Sequence, residues 1–206
     1  MTIFYQFGEK IYANITNKCP CSCRFCIRKN SDSIVDNDSL WLEHEPSYEE
    51  IIEAFDKFPK EGFEWLVFCG YGEPMMRADV LLRVAKYIKK NSNLKIRINT
   101  NGLISLIAPQ FDIHSLKGVI DAVSISLNAS TPDKYYEISK PEFGLPAYNS
   151  MLNFAIIANS IIPSVTFTIV DDGLDQEEIE ACRERAKNLD IPLRIRHYVT
   201  DNENYR

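Results

Sequence analysis

The sequence predicts an α/β fold in which short parallel strands alternate with helices around one sheet. The first observation is the length of 206 residues with 45% hydrophobic residues, which suits one sizeable core. The second is that short apolar runs alternate with amphipathic segments along the chain. The third is that no internal repeat or linker divides it. We therefore expect residues 1–206 to form a single domain.

The predicted strands are short apolar or alternating runs. Residues 63–69 are almost continuously apolar, which is typical of a strand buried on both faces. The alternation in residues 94–99 is typical of a strand with one polar face. Together the predicted strands cover residues 11–16, 63–69, 94–99, 119–127, 165–170 and 193–199, with an extra strand or hairpin arm at 3–7.

Helix start signals separate these strands. Ser47 with Glu50 three residues later forms a capping box. Pro132 and Pro146 favour the first turns of two further helices, and Asp175 opens the last one. Strands and helices that alternate in this way imply right-handed parallel βαβ units.

Six such units are too few to close an eight-stranded barrel. Periodicity leaves two architectures open, an open partial barrel and a doubly wound sheet. In both, ligands gather at the carboxyl ends of the strands. Residues at those ends are therefore the candidates for a site.

Charge and hydropathy exclude some classes of partner. The formal net charge is −6, so a general nucleic-acid binder is disfavoured. No apolar run approaches the ~20 residues that span a bilayer, and the first residues do not resemble a signal peptide. We therefore expect no membrane partner and a cytoplasmic location.

Four cysteines lie close together after the first predicted parallel strand. Cys19, Cys23 and Cys26 have the spacing C-x3-C-x2-C, and Cys21 lies between them. Three thiolates on one loop can hold three irons of a cubane cluster and leave the fourth iron open. A structural zinc site usually takes two ligand pairs, and no second Cys or His pair follows. A non-catalytic iron–sulfur or zinc-binding module remains the alternative.

This loop, with Phe25 before its last cysteine, resembles the signature of the radical S-adenosylmethionine (SAM) superfamily. The resemblance implies a partial (β/α)6 TIM-like barrel of parallel strands with an open lateral face. It also implies a [4Fe-4S] cluster on Cys19, Cys23 and Cys26. The cluster would cleave SAM reductively to a 5′-deoxyadenosyl radical, which abstracts hydrogen from a substrate. Phe25 is expected beside the cofactor. The Cys21 thiol either points away or offers the cluster an alternative register, and we expect the first because C-x3-C-x2-C matches without it.

Motifs at three later strand ends resemble SAM-binding segments of the same superfamily. The segment G-x-G-E-P resembles G-G-E-P, which implies that Glu73 binds the SAM amino group while Gly72 lets the backbone approach a ligand. The resemblance also makes Asn101, Ser126 and Asn128 contacts of SAM. Plain Gly-Pro and Asn-Gly turns and capping hydroxyls are the alternatives.

Taken together, these motifs look most similar to small TatD-family-associated radical SAM proteins. In size the chain is related to activating-enzyme-like and 7-carboxy-7-deazaguanine synthase-like members. The resemblance implies a flavodoxin or ferredoxin as electron donor and a TatD-type hydrolase as a neighbour, and it names no substrate. Arg194 and Arg196 alternate on the last strand and face a substrate anion, SAM or solvent. The polar residues 30–45 are either a lid or partner-binding segment or a surface loop.

Overall fold

The computed structural model describes residues 1–29 and 39–198, and its centre is one seven-stranded sheet. The strands are β1 (Phe4–Phe7), β2 (Lys10–Ala13), β3 (Trp65–Phe68), β4 (Lys95–Thr100), β5 (Ala122–Ser126), β6 (Ser164–Val170) and β7 (Leu193–Arg196). The α-helices are α1 (Tyr48–Lys57), α2 (Ala78–Asn91), α3 (Ile104–Ile107), α4 (Pro132–Ser139), α5 (Pro146–Ile161) and α6 (Gln176–Lys187). Short 3-10 helices cover Ile27–Lys29, Pro74–Arg77 and Ile113–Leu116.

The order of the strands decides between the two architectures. β1 and β2 form an antiparallel hairpin, whereas β2 to β7 are all parallel and neighbour one another in chain order. A doubly wound sheet reverses its strand order at a switch point, and this sheet does not. The prediction of an open partial barrel with six parallel strands is therefore confirmed, as is the hairpin arm at 3–7.

The main hydrophobic core lies between the sheet and the helices. Strand alternation sends Ile11 and Ala13 of β2 to this side, together with Leu66 and Phe68 of β3. The same side of later strands carries Ile98, and each of these side chains is buried. The opposite, concave face of the sheet is left for polar side chains.

Local capping signals are largely confirmed. The Glu50 amide donates to Ser47 Oγ at 3.1 Å, and the Ser47 amide donates to Glu50 Oε2 at 2.7 Å, which completes the capping box of α1. Pro132 and Pro146 occupy the first turns of α4 and α5. Asp175 caps α6 through the Glu178 amide at 2.8 Å. None of the helices in the two described ranges is long and apolar enough to cross a bilayer.

The strand ends differ from the predicted ones. β2 stops at Ala13 rather than residue 16, and the Asn14 side chain that follows donates to Leu40 O at 2.7 Å. β5 starts at Ala122 rather than 119, after a turn that contains Gly118 with φ +73°. β7 ends at Arg196, and residue 199 of the predicted strand lies outside the described residues.

Part of the polar segment 30–45 packs against the barrel. Residues 30–38 lie outside the described residues. Beyond them, Asn17 Nδ2 donates to Leu42 O at 2.8 Å, and the Leu42 amide donates back to Asn17 Oδ1 at 3.0 Å. The Trp41 ring packs edge-on against Tyr71, with 5.0 Å between ring centroids. Residues 40–42 are thus held beside the strand-end loops.

Candidate functional site

The cysteine loop, residues 19–26, follows β2 and lies along the last turn of α4. The Ser22 amide donates to Ser139 O at 3.0 Å. The Arg24 amide donates to Ile138 O at 2.9 Å. Because these bonds join backbone atoms, they fix the path of the loop independently of its side chains.

The contact between the cysteine loop and the end of α4 continues beyond the helix, because the residue after α4 has a left-handed backbone conformation. Lys140, with φ +44°, ends α4 and turns the chain back beside the cysteine loop. Cys21 and Pro141 then form an antiparallel bridge, and the Glu142 amide donates to Pro20 O at 2.9 Å. The loop therefore has a partner segment along much of its length.

Cys21 does not point away from the other thiols, so that expectation is wrong. Its side chain is only 5% exposed and forms hydrogen bonds with Cys19 and Cys23. Its Sγ also accepts a hydrogen bond from Asn101 Nδ2 at 3.6 Å. The physical reason is local geometry, because residues two apart in an extended segment face the same side.

These contacts favour the thiolate form of Cys23. The hydrogen bond from Cys21 lowers the pKa of the Cys23 thiol, and a hydrogen bond with Ser139 and the charge of Lys29 act in the same direction. Hydrogen bonds with Cys19 and Cys23, together with burial, raise the pKa of Cys21. Burial raises the pKa of Cys26. Since the thiolate is the metal-binding form, these contacts suit Cys23 as a ligand of iron.

Glu73 is buried at the end of the loop after β3, where it caps the 3-10 helix Pro74–Arg77. Its Oε1 accepts hydrogen bonds from Thr100 Oγ1 at 2.7 Å and from the Met75 amide at 3.0 Å. Its Oε2 accepts from the Asn101 amide at 2.7 Å. Three neutral donors thus fix the orientation of the carboxyl group.

The environment of Glu73 is suited to a cationic ligand. Burial raises the pKa of the Glu73 carboxyl to about 7, although the hydrogen bonds from Asn101, Met75 and Thr100 oppose the shift. An ammonium group placed beside the carboxylate would favour its ionised form and lower that pKa. Such a group would therefore be stabilised at this position.

The two glycines of G-x-G-E-P lie where a larger residue would collide with neighbouring atoms. A Cβ on Gly70 would lie 2.1 Å from Asn14 Oδ1. A Cβ on Gly72 would lie 2.3 Å from Thr16 O and 2.7 Å from Lys18 O. The glycines thus let the Glu73 loop pack against the segment that leads into the cysteine loop. A direct contact between Gly72 and a cofactor stays a prediction.

Asn101 connects the two halves of the site. Its backbone amide donates to Glu73, and its side-chain amide donates to Cys21. Its Oδ1 accepts a hydrogen bond from the Leu103 amide at 3.0 Å, which orients the side chain. The carboxyl group and the cysteine loop are therefore coupled through one residue at the carboxyl end of β4.

The remaining predicted residues surround this centre. Ser126 ends β5 opposite Thr168 and is half-buried. Asn128 follows in a left-handed conformation, φ +60°, and its Nδ2 donates to Ser139 Oγ at 3.0 Å. Phe25 is half-buried and packs against the main core. Asn128 thus reaches the cysteine loop through Ser139, and its contact with SAM stays a prediction.

Two supporting residues escaped sequence reasoning. The Arg28 guanidinium donates to the carbonyls of Asn17 at 3.3 Å, Cys21 at 3.2 Å and Tyr71 at 3.5 Å, and so joins both loops. The sequence does not show whether a basic residue after a cysteine motif binds backbone carbonyls or is exposed to solvent. Thr100 directly precedes the predicted SAM contact Asn101, but its hydrogen bond to Glu73 depends on the sheet register.

The residues present fit a cluster and SAM. Tyr135 is buried beside Cys21 and Cys23, and among the described residues its hydroxyl has the Cys21 thiol as a neighbour but no nitrogen or oxygen partner, which fits a pocket that holds an additional group. No three His, Cys, Asp or Glu side chains within 1–29 and 39–198 converge as a site for one metal ion. A cubane cluster does not require such convergence, because each cysteine binds a different iron.

Comparison with known proteins places the chain in a family. The family model described as the Radical SAM superfamily matches residues 13–186. Human Molybdenum cofactor biosynthesis protein 1 is 28% identical over 198 residues, covering 94% of this chain and 29% of that protein. Probable GTP 3′,8-cyclase of Methanocaldococcus jannaschii is 31% identical over 139 residues, covering 66% of this chain and 42% of that protein. The chain thus spans less than half the length of these relatives.

Solved structures show the same fold. Streptococcus suis SuiB bound to S-adenosylmethionine matches with a TM-score of 0.66 and 13% identity over 94% of this chain and 41% of that chain. Methylornithine synthase matches with a TM-score of 0.64 and 15% identity over 92% of this chain and 53% of that chain. The chain therefore belongs to the Radical SAM superfamily, and membership implies a [4Fe-4S] cluster and SAM as its cofactors.

Proposed function

We propose that Cys19, Cys23 and Cys26 bind the three liganded irons of a [4Fe-4S] cluster and that Glu73 binds the amino group of SAM beside it. When reduced, the cluster supplies one electron to SAM, which yields methionine and a 5′-deoxyadenosyl radical that abstracts hydrogen from a substrate. Residues 1–206 act as a single radical SAM domain in this proposal. The family match over residues 13–186 supports it.

One observation carries the proposal, the convergence of the cysteine loop and Glu73 on Asn101. Asn101 hydrogen-bonds to Cys21 Sγ and to the Glu73 carboxylate. A thiol loop that served only as a metal-binding module would have no use for a buried carboxyl group at its edge. Burial of a carboxyl group with neutral donors is costly unless a cation joins it. The arrangement is accounted for when the thiols bind a cluster and the carboxyl group binds SAM beside it.

The other strand ends take supporting roles. Ser126 and Asn128 lie at the end of β5, on the same edge as Glu73 and Asn101. We assign them polar contacts with SAM, while Gly72 and Phe25 line the site. Cys21 is not a ligand of iron in this proposal, because C-x3-C-x2-C is complete without it. Its hydrogen bond to Cys23 would hold that thiolate in place before the cluster is assembled.

The test is anaerobic reconstitution with iron and sulfide, followed by reduction and addition of SAM. We expect 5′-deoxyadenosine and methionine from the wild type. Cys23→Ala should lose the cluster, whereas Cys182→Ala, in a buried position on α6, should load it normally. Glu73→Gln should load iron and bind SAM more weakly. A fully loaded wild type that forms no 5′-deoxyadenosine would contradict the proposal.

Two narrower assignments rest on motif resemblance. Radical SAM enzymes need a reductant, and we propose a flavodoxin or ferredoxin for this one. We also propose an association with a TatD-type hydrolase, supported by the combination of the cysteine loop with the strand-end motifs. Co-purification of the chain with each candidate, compared with an unrelated protein of similar charge, tests both. If neither flavodoxin nor ferredoxin binds the chain or transfers electrons to it, the proposed electron donor is wrong. If the TatD-type hydrolase does not co-purify with the chain, the proposed association is wrong.

A further inference from the structure

The concave face of the sheet carries an unusual set of charges. Alternation places Lys10 and Tyr12 of β2 on this face, opposite the core residues Ile11 and Ala13. The register aligns Tyr12 with Val67 and Val67 with Arg97. On the far side of the barrel, β7 contributes the alternate residues Arg194 and Arg196. They pair with Thr168 and Val170 of β6.

Four of the cations on this face form no close ion pair in the part of the chain that the structure describes. Lys95 also lies on this face, but it is paired with Glu64 at 2.6 Å. By contrast, no ion pair within the described ranges involves the cation group, which we define as Lys10, Arg97, Arg194 and Arg196. The concave positions of β2 to β7 contain no Asp or Glu. The positive charge of the cation group contrasts with the net charge of −6 of the whole chain.

The cation group faces a common space. Partial burial, followed by the nearby charges of Arg196 and Arg97, lowers the pKa of Arg194. Partial burial and then Arg97 and Arg194 lower the pKa of Lys10, and the charge of Glu9 opposes this shift. β2 and β7 are the outer parallel strands and are not hydrogen-bonded to each other, so these interactions run across the concave side of the barrel.

The geometry also orients the arginines for binding. The Arg97 guanidinium stacks over the Trp65 ring at 5.1 Å from its centroid. A guanidinium held in this way offers a planar fork of donors that matches carboxylate and phosphate groups. Like charges held together without counter-charges are unfavourable unless an anion joins them. The cation group thus has the chemistry of an anion site.

Its position relative to the proposed cofactor site suits a substrate. Arg97 and Thr100 lie on β4, three residues apart, which corresponds to about 10 Å along the strand. Thr100 contacts Glu73, so Arg97 lies deeper in the barrel than the SAM site, whereas Arg194 lies level with Ser126 in the strand register. A molecule anchored by the cations could extend towards the strand ends, where the radical would form.

We propose that the cation group binds a substrate that carries at least two negative charges, such as a diphosphate or dicarboxylate, on the concave face of the barrel. This inference rests on the proposed function, because it gives the substrate class of the same site. Sequence analysis left a substrate anion, SAM or solvent open as the partner of Arg194 and Arg196, and we assign them to the substrate anion. The anchored end stays in the barrel while the reacting end meets SAM.

The test is isothermal titration of inorganic pyrophosphate, and separately of malonate, into the reconstituted protein at constant ionic strength. We expect saturable binding of at least one anion, and the stronger one identifies phosphate or carboxylate chemistry. The double variant Arg97→Gln with Arg194→Gln should weaken it by at least about tenfold. The matched control is Lys86→Gln with Lys90→Gln on exposed positions of α2, which removes the same charge and should change affinity less than twofold.

Other outcomes overturn the inference. No saturable binding of either anion by the wild type would do so, as would an equal loss in both double variants, because that would indicate net charge alone. Formation of 5′-deoxyadenosine separates this inference from the proposed function. If the wild type cleaves SAM in the absence of substrate but binds neither anion, the substrate class is wrong and the proposed function stands.

Discussion

Asn101 donates its backbone amide to the Glu73 carboxylate at 2.7 Å, and the same residue reaches the cysteine loop through its side chain. The carboxyl group therefore cannot move without disturbing a residue that touches Cys21. Because Glu73 is buried and its donors are neutral, its charge depends strongly on pH and on a bound cation. This relationship leads to several measurable consequences.

The affinity for SAM should rise with pH. The pKa of the Glu73 carboxyl is about 7, so the group is mostly neutral at pH 6 and mostly ionised at pH 8. Only the ionised form attracts an ammonium group, and the ionised fraction grows about tenfold over this range. Equilibrium dialysis of SAM with the reconstituted protein measures the change. Glu73→Gln serves as the control, since it retains only the titration of SAM itself; an identical pH profile in both proteins would contradict the prediction.

The stability of the ligand-free protein should show the opposite trend. Between pH 4.5 and about 7 the unfolded chain releases the Glu73 proton while the folded protein retains it, because burial raises the pKa of Glu73. The stability linked to the neutral carboxyl group is therefore present below pH 4.5 and is lost as pH rises through about 7. Relative to the wild type, Glu73→Gln should gain about 2 kcal/mol in the free energy of unfolding between pH 5 and pH 8. Urea unfolding at both pH values measures this, and a constant difference would contradict it.

Gly72→Ala should disrupt the packing of the Glu73 loop. Its Cβ would meet two backbone carbonyl oxygens, Thr16 O at 2.3 Å and Lys18 O at 2.7 Å, and backbone cannot move aside as a side chain can. We expect a loss of about 3 kcal/mol and a reduced iron content. Gly118→Ala is the control, because its φ is +73° but no atom lies within 4 Å of the added Cβ. That change should cost about 1 kcal/mol and leave iron content intact; equal losses would contradict the account.

Glu178→Ala should lower stability without affecting the cluster. Glu178 is buried on α6, accepts hydrogen bonds from the Ser130 amide at 2.6 Å and from Ser130 Oγ at 3.0 Å, and pairs with Lys134. Its loss leaves the Ser130 amide unpaired, and we expect about 2 kcal/mol of destabilisation. Glu53→Ala breaks an exposed pair with Lys57 and should have little effect. Thermal unfolding and iron content are measured for both variants. Loss of iron in correctly folded Glu178→Ala would contradict the prediction that Glu178 supports the fold and not the cluster site.

The sequence predicted the features that depend on local chemistry. The capping box of Ser47 and Glu50 and the first-turn prolines of α4 and α5 follow from backbone groups that short-range neighbours satisfy. The parallel strands follow from apolar runs with helices between them. The cysteine spacing and Glu73 before Pro74 lie within single short segments. Their residues could therefore be named before any tertiary contact was known.

Features that depend on tertiary contacts could not be predicted in this way. The role of Gly72 depends on the close approach of Thr16, which lies far from it in sequence. The inward position of Cys21 needs the extended path that Pro141 imposes on the loop. The cation group assembles from three strands, and no segment of sequence contains more than two of its members. Register and sheet curvature bring such residues together, and periodicity does not specify either.

The central claim is that the cysteine loop and Glu73 form one site for a cluster and SAM. The most direct measurement is the electron paramagnetic resonance spectrum of the reduced, reconstituted protein before and after addition of SAM. We predict that SAM changes the cluster signal of the wild type and that Glu73→Gln needs a higher SAM concentration for the same change. A wild-type signal that stays unchanged at saturating SAM, with the cluster fully loaded, would contradict the account.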